Sequence, residues 1–258
     1  MTLGKTSSSP YEIGHADWLE AQRWEKAFWD RYVRSQHSMK RLGWLKTLVK
    51  KALNRGPDEP SNLWWARHFD DYRFVPERLE NVIEFGCGPS TNLRILLRGR
   101  QAAHVVASDP LSRHYVTYRG YHLAKRWRAG EWLIDDHTLE EPFFADDVFD
   151  LAVCINVLDH VRSVDLCMKT LVRVVKPGGL LLLGQELTSD DDLRTTEQVR
   201  RAAGSDIGHP HKFETHEVLR PYLSGFDPVY DRVIPRDQGR LPGWHCGTFL
   251  FAGKKSRG

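Results

Sequence analysis

From Asn81 onward, seven short apolar runs alternate with segments of helical periodicity, and this alternation constrains the fold of the 258-residue chain more than any other feature. The runs are Asn81–Phe85, Ala103–Ser108, Glu131–Ile134, Phe149–Ile155, Leu180–Gln185, Val229–Ile234 and Thr248–Ala252. Such spacing is the mark of βαβ units, whose strands pair in parallel and are covered by helices. Helices are expected over Thr91–Arg98, Ser112–Trp127, Ser163–Val174 and Thr215–Leu223, and Pro177, Gly178 and Gly179 are expected to turn the chain tightly into the fifth strand. Seven strands complete a doubly wound α/β sheet.

The stretch before residue 77 reads differently. Trp18, Ala21, Trp24, Phe28 and Tyr32 recur three or four apart, which predicts an amphipathic helix over His15–Val33. Further helices are expected over Lys40–Asn54 and Asn62–Tyr72, split by the turn-rich GPDEPSN at Gly56–Asn62. The chain therefore divides into a helical cap, residues 1–76, and an α/β domain, residues 77–258. Trp18, Trp24, Trp29, Trp44, Trp64 and Trp65 crowd this cap, and most of them are expected in a small aromatic core rather than a pocket wall. In residues 40–55, Leu42, Leu45, Val49 and Leu53 form one face ringed by Arg41, Lys46, Lys50 and Lys51, a stripe that packs on the domain or offers a peripheral membrane contact.

Composition narrows the partners. With 37 basic and 34 acidic side chains the net charge is only +3, which makes no case for nucleic acid. Cys87, Cys154, Cys167 and Cys246 form no CxxC pair and read as reduced residues of a cytoplasmic protein. No apolar run approaches the roughly 20 residues that span a bilayer.

The sharpest chemical signal is NVIEFGCGPSTNLRIL, a strand entering a glycine turn and then a helix. Gly86 and Gly88 let the backbone turn sharply and approach a ligand where a β-carbon would collide. The N–H groups of the following helix start, capped by Ser90 or Thr91, favour a carboxylate. The third glycine of the dinucleotide pattern is missing, which argues against a pyrophosphate. About 20 residues on, Asp109 ends an apolar strand, followed by Pro110, at the place from which a carboxylate accepts ribose hydroxyls. The two elements together favour a nucleoside.

On these residues the chain resembles the class I S-adenosylmethionine-dependent methyltransferases, especially their small-molecule branch. Glu84, Gly86 and Gly88 match the first motif and Asp109 the ribose-binding acid. DDVFDLAVCINVLDHV at Asp146–Val161 is similar to the fourth strand and its loop, and VRVVKPGGLLLL at Val172–Leu183 to the fifth. The resemblance covers about two thirds of the chain, with Ser90 where many relatives have glycine. It implies a Rossmann-like, seven-stranded, mostly parallel sheet with helices on both faces and the last strand antiparallel. It implies S-adenosyl-L-methionine as cofactor: Gly86, Cys87 and Gly88 along the methionine part, Glu84 reaching its ammonium directly or through water, Asp109 and Pro110 at the ribose, Asp135 or Asp136 at the adenine amino group, His137 beside the ring, and Asn156 near the sulfonium.

Methyl transfer is an in-line displacement that depends mainly on alignment, and a hydroxyl acceptor adds the need for a general base. His160, His209 and His211 are candidates by their near-neutral titration, and Glu186 is another. The HxH spacing of His209 and His211 suits a metal, but without a third ligand in the sequence no metal is expected. The leading reading is methylation of a small or carrier-linked acceptor, oxygen preferred over nitrogen, with a saccharide or envelope precursor as one guess. A nicotinamide-dependent oxidoreductase and a catalytically silent ligand-binding relative are the competing classes. Methylation of a base amine in nucleic acid is disfavoured, since INVLDH follows the fourth strand in place of a proline-bearing loop.

Overall fold

A computed structural model describes residues 11–40, 59–141, 143–192 and 209–257. The elements run α1 (His15–Lys40), α2 (Glu59–His68), β1 (Arg78–Phe85), α3 (Leu93–Leu96), β2 (Gln101–Ser108), α4 (Ser112–Tyr115), α5 (His122–Arg128), β3 (Leu133–Asp135), β4 (Phe149–Ile155), α6 (Val164–Val174), β5 (Val175–Leu187), β6 (Phe226–Pro235) and β7 (Gly247–Lys255). All seven expected strands are present, in the order β3-β2-β1-β4-β5-β7-β6. β1 to β5 pair in parallel, and β7 is antiparallel to both β5 and β6. This is the doubly wound, mostly parallel sheet that the alternation predicts.

The central runs of β4 and β5 are apolar throughout because both faces of the sheet are buried there, whereas the edge strand β6 is largely exposed. Val82, Leu151, Val153 and Leu182 point into one core, shared with Trp65 and Ala66 of α2, Phe69 just after it, and Leu93 and Leu96 of α3. Their neighbours Ile83, Ala152, Cys154 and Leu183 point into the other, filled by Cys167, Met168 and Leu171 of α6. In α6 the buried residues Val164, Cys167, Met168, Leu171 and Val174 recur at helical spacing, and the Ser163 hydroxyl accepts from Leu166 N–H at its start.

Departures from the expected elements have local causes. α3 starts only at Leu93, because the side chains of Thr91 and Asn92 are bound to Glu84 and hold the preceding residues as a loop. The helix expected over Ser112–Trp127 is two short helices; the Thr117 hydroxyl bonds back to the His114 carbonyl at 2.7 Å, ending the first. Over 215–223 the chain forms two 3-10 turns, His216–Val218 and Arg220–Leu223, since Pro221 has no N–H to extend a helix. The turn expected at Pro177–Gly179 is a bulge inside β5: the register passes from Phe149↔Val175 to Leu151↔Leu180, with Gly178 at φ 80°.

Ahead of the sheet, α1 runs on to Lys40, beyond the expected end at Val33. The helix expected over Lys40–Asn54, with its candidate membrane face and Trp44, lies outside the described residues save Lys40. Trp18 and Trp65 are buried as expected. α1 is tied to the domain by Asp30, whose Oδ1 lies 2.9 Å from His114 Nε2 and accepts from Tyr118 Oη at 2.8 Å. Burial raises the Asp30 pKa, but the bonds from Tyr118, His114 and Lys26 outweigh it and hold the group at about 2. Among the described residues no helix is long and apolar enough to cross a membrane, and the four cysteines are free thiols.

Candidate active site

The carboxyl ends of β1, β2, β4 and β5 open into a cavity of about 970 Å³, roofed on one side by α1. An open parallel sheet places its ligands there, where the strand order reverses. Gly86 and Gly88 both adopt left-handed backbone conformations, φ 61° and 52°, and line the cavity with Cys87. A β-carbon on Gly86 would overlap both methyls of Val157, Cγ1 at 2.6 Å.

Glu84 corrects the expectation that it reaches a ligand ammonium. Its carboxylate is fully buried behind the loop, accepting from the Thr91 hydroxyl, Asn92 N–H at 3.0 Å, Asn92 Nδ2 at 2.9 Å and Leu93 N–H at 3.5 Å. It organises the glycine turn from below and does not line the cavity. Burial outweighs these bonds and pushes its pKa up to about 7, from an ordinary 4.5. The folded state then holds more protons than the unfolded chain between pH 4.5 and 7, so stability should fall as pH rises through that window, by about 3 kcal/mol. Denaturant unfolding at pH 5 and pH 7.5 measures this. Glu84→Gln should flatten the difference, and an equal slope in both proteins would refute the assignment.

Asp109 faces the cavity from the end of β2. Its Oδ2 accepts Gly88 N–H at 3.0 Å and its Oδ1 accepts Leu111 N–H at 2.8 Å, so one carboxylate ties the glycine turn to the β2–α4 loop. Burial pushes its pKa up to about 6 against the pull of those two N–H groups. Pro110 and His137 also line the cavity. The two acids after β3 separate clearly. Asp135 is buried behind His137, its Oδ2 accepting from Ser108 Oγ at 2.7 Å and its Oδ1 2.5 Å from His137 Nδ1. Asp136 is exposed and paired with the Arg113 guanidinium, which holds its pKa low. Neither carboxylate lines the cavity, whereas His137 does, stacked on Phe143 with centroids 4.2 Å apart.

After β4 the chain turns at Asn156, which takes φ 57° and whose buried Oδ1 has no hydrogen-bond partner. Three residues on, Asp159 is buried and His160 lines the same cavity. The fold brings His209 to them: its Nδ1 lies 2.8 Å from Asp159 Oδ2, and its ring centroid is 4.2 Å from that of His160. His160 Nε2 is 3.7 Å from the same Asp159 oxygen, while its Nδ1 faces Glu25 of α1 at 3.9 Å. Burial raises the Asp159 pKa, yet the two histidines hold it far below the carboxylate range; burial and then His160 lower that of His209. The Asp159 carboxylate can only accept, so His209 turns its Nδ1–H toward it.

His211 does not join this pair. Its Nε2 donates to the Val161 carbonyl at 2.9 Å and its backbone N–H to the Asp159 carbonyl at 3.2 Å, so it braces the loop instead of reaching for a ligand. Glu186 is also spoken for. It lines the cavity, and although burial raises its pKa, His245 and the two-pronged Arg240 contact at 3.0 and 2.9 Å hold it low. The remaining wall is aromatic. Trp24 and Phe28 of α1 stack with centroids 5.5 Å apart and Phe28 on Tyr32 at 6.4 Å, all facing the cavity with Trp29 and Trp64. Contrary to the expectation of an aromatic core, only Trp18 and Trp65 of the described cap tryptophans are buried. Asp159 and Glu25 are site residues that the sequence reading passed over. Asp159 stands beside His160 and could have been found there, whereas Glu25 looks like any charge on a helix.

Comparison with known proteins follows the same lines. A family model described as a methyltransferase domain matches residues 44–225. The ubiquinone biosynthesis O-methyltransferases of Brucella anthropi and Brucella ovis are each 27% identical over 184 residues, covering 69% of this chain and 64% of the relative. The chain thus spans somewhat under two thirds of the length of those relatives. Among solved structures, the N-methyltransferase NodS from Bradyrhizobium japonicum superposes with a TM-score of 0.52 at 16% identity over 78% of this chain and 99% of NodS. YcgJ of Bacillus subtilis gives 0.53 at 16% over 73% of this chain and 97% of its own. At such identity these structures speak for the fold alone.

Proposed function

The chain belongs to the methyltransferase domain family, and from that premise we propose that it methylates a hydroxyl group on a small molecule with a flat or apolar body. S-adenosyl-L-methionine, when bound, supplies an already activated methyl group on its sulfonium. Three features of the cavity suit that donor. Gly86 presents bare backbone, the Asp109 carboxylate keeps accepting capacity for ribose hydroxyls, and Asn156, whose buried Oδ1 has no protein partner, lines the same cavity. In this reading Gly86, Cys87, Gly88 and Asn156 hold the methionine part, Asp109 and Pro110 the ribose, and His137 the base.

The observation that carries the hydroxyl reading is the Asp159–His160–His209 group in the same cavity. An amine acceptor that is neutral when it attacks needs little help, whereas a hydroxyl must lose its proton. Asp159 fixes the tautomer of His209, and His160 stands between it and Glu25, so the group is built to handle a proton. The row formed by Trp24, Phe28 and Tyr32 offers ring faces to a planar acceptor. The O-methyltransferase relatives support oxygen as the acceptor atom.

The test is S-adenosylhomocysteine formation with matched pairs of phenols, sugar alcohols and their amino analogues. Hydroxyl compounds should turn over and the amines should not. His160→Ala should lower turnover by about 100-fold while leaving cofactor affinity within about twofold, since general acid–base groups contribute on that order. Methylation of the amines alone, or a His160→Ala rate unaltered across pH, would sink the reading.

A further inference from the structure

We propose that Asp159, His160 and His209 form a binding site for one divalent transition-metal ion. The sequence offers His209 and His211 as an HxH pair without a third ligand; the fold discards His211 and supplies two ligands from the β4 loop, fifty residues earlier. One ligand atom from each of the three residues falls within 4.8 Å of the others. Asp159 Oδ2 is 2.8 Å from His209 Nδ1 and 3.7 Å from His160 Nε2. Ligands held about 2.1 Å from a common ion stand roughly 3 to 4 Å apart, so an ion fits between these atoms with small adjustments, taking the place of the His209 Nδ1 proton, which leaves to water.

The surroundings are those of a held site. His209 is fixed against Asp159 by its own loop: His211 braces to the Asp159 and Val161 carbonyls, and Lys212 Nζ bonds the His209 carbonyl at 2.7 Å. His160 turns Nε2 toward Asp159 and Nδ1 toward Glu25, which places a carboxylate behind a metal-binding imidazole, the arrangement that orients such ligands. Glu25 is itself steadied by the Trp29 indole N–H at 2.6 Å. Two imidazoles and one carboxylate select zinc, cobalt or iron over magnesium or calcium, and they leave coordination positions open toward the cavity. Resting on the hydroxyl reading, the group with the ion bound would deal with the acceptor proton through the metal and not through a free imidazole: an acceptor oxygen would take one of those positions, its proton passing to water and the ion stabilising the alkoxide or phenoxide left behind.

The probe is Co²⁺ alone, added to the full chain after chelator treatment and dialysis. Wild type should bind one equivalent, with visible ligand-field bands and a raised unfolding temperature. His209→Ala and Asp159→Asn should each weaken Co²⁺ binding at least tenfold, and Glu25→Gln by about tenfold. His104→Ala, on an exposed residue of β2, should bind as wild type does. Binding of S-adenosylhomocysteine in the same samples certifies that each variant is folded. A wild-type chain that binds S-adenosylhomocysteine but not Co²⁺, or a His209→Ala chain that binds Co²⁺ equally well, overturns the site. Saturable Co²⁺ binding alongside turnover of amines only would uphold the site and refute the hydroxyl reading.

Discussion

Asp109→Ala should weaken S-adenosylhomocysteine binding on the order of 100-fold, the loss of two charge-assisted hydrogen bonds of roughly 1.5 kcal/mol each. The carboxylate sits at the end of β2 with each oxygen anchored by one backbone N–H, from Gly88 and from Leu111, and each retains a lone pair for a ribose hydroxyl. Because burial raises its pKa to about 6, those hydroxyl donors must also draw it into the ionised form. Affinity should therefore climb roughly tenfold per pH unit below about 6 and level off above it. Titration calorimetry from pH 5 to pH 8 reads both effects. Asp109→Asn should remove the pH dependence, and a wild-type dissociation constant flat over that range would refute the role.

Gly86→Ala should be strongly damaging. The new carbon would enter both branches of Val157 while the residue is held at φ 61°, where a side chain adds about 1 kcal/mol to an overpacking cost of about 1 to 3 kcal/mol. An unfolding temperature lower by roughly 6 to 12 °C is expected, together with loss of cofactor binding as the turn shifts. Val157→Ala removes the struck methyls, so the double variant should recover part of the stability that the two single changes lose separately. Strict additivity of the two would show that the collision with Val157 is not the cause.

How much of this was legible beforehand divides by the range of the interaction. Strands announced themselves because a strand buried on both faces must be apolar throughout, and Phe149–Ile155 was bounded correctly on that ground. The Gly86–Gly88 turn and Asp109 were legible because their backbone demands are local. Helix ends were misplaced where a side chain reached across the fold, as Glu84 does to Thr91 and Asn92. Glu84 itself reads as a ligand-facing acid in sequence, since nothing local says on which side of the turn its carboxylate lies. Glu186 needed Arg240 and His245, more than fifty residues away, to be recognised as neutralised. The meeting of His209 with Asp159 depends on a chain reversal that no spacing encodes.

The helix α1 precedes the sheet in the chain, touches the domain through a few points such as Asp30, and yet furnishes the Trp24–Phe28–Tyr32 wall and Glu25. The residues read as holding the methyl donor stand on strand ends whose positions the whole sheet fixes. Exchanging the cavity-facing side chains of α1, with its buried Trp18, Ala21 and Val33 kept, would thus refit the acceptor side while leaving the strand ends of the donor side in place. Divergence in such a chain should gather in its first forty residues, and a collection of enzymes with different acceptors could be drawn from one scaffold by varying that segment alone.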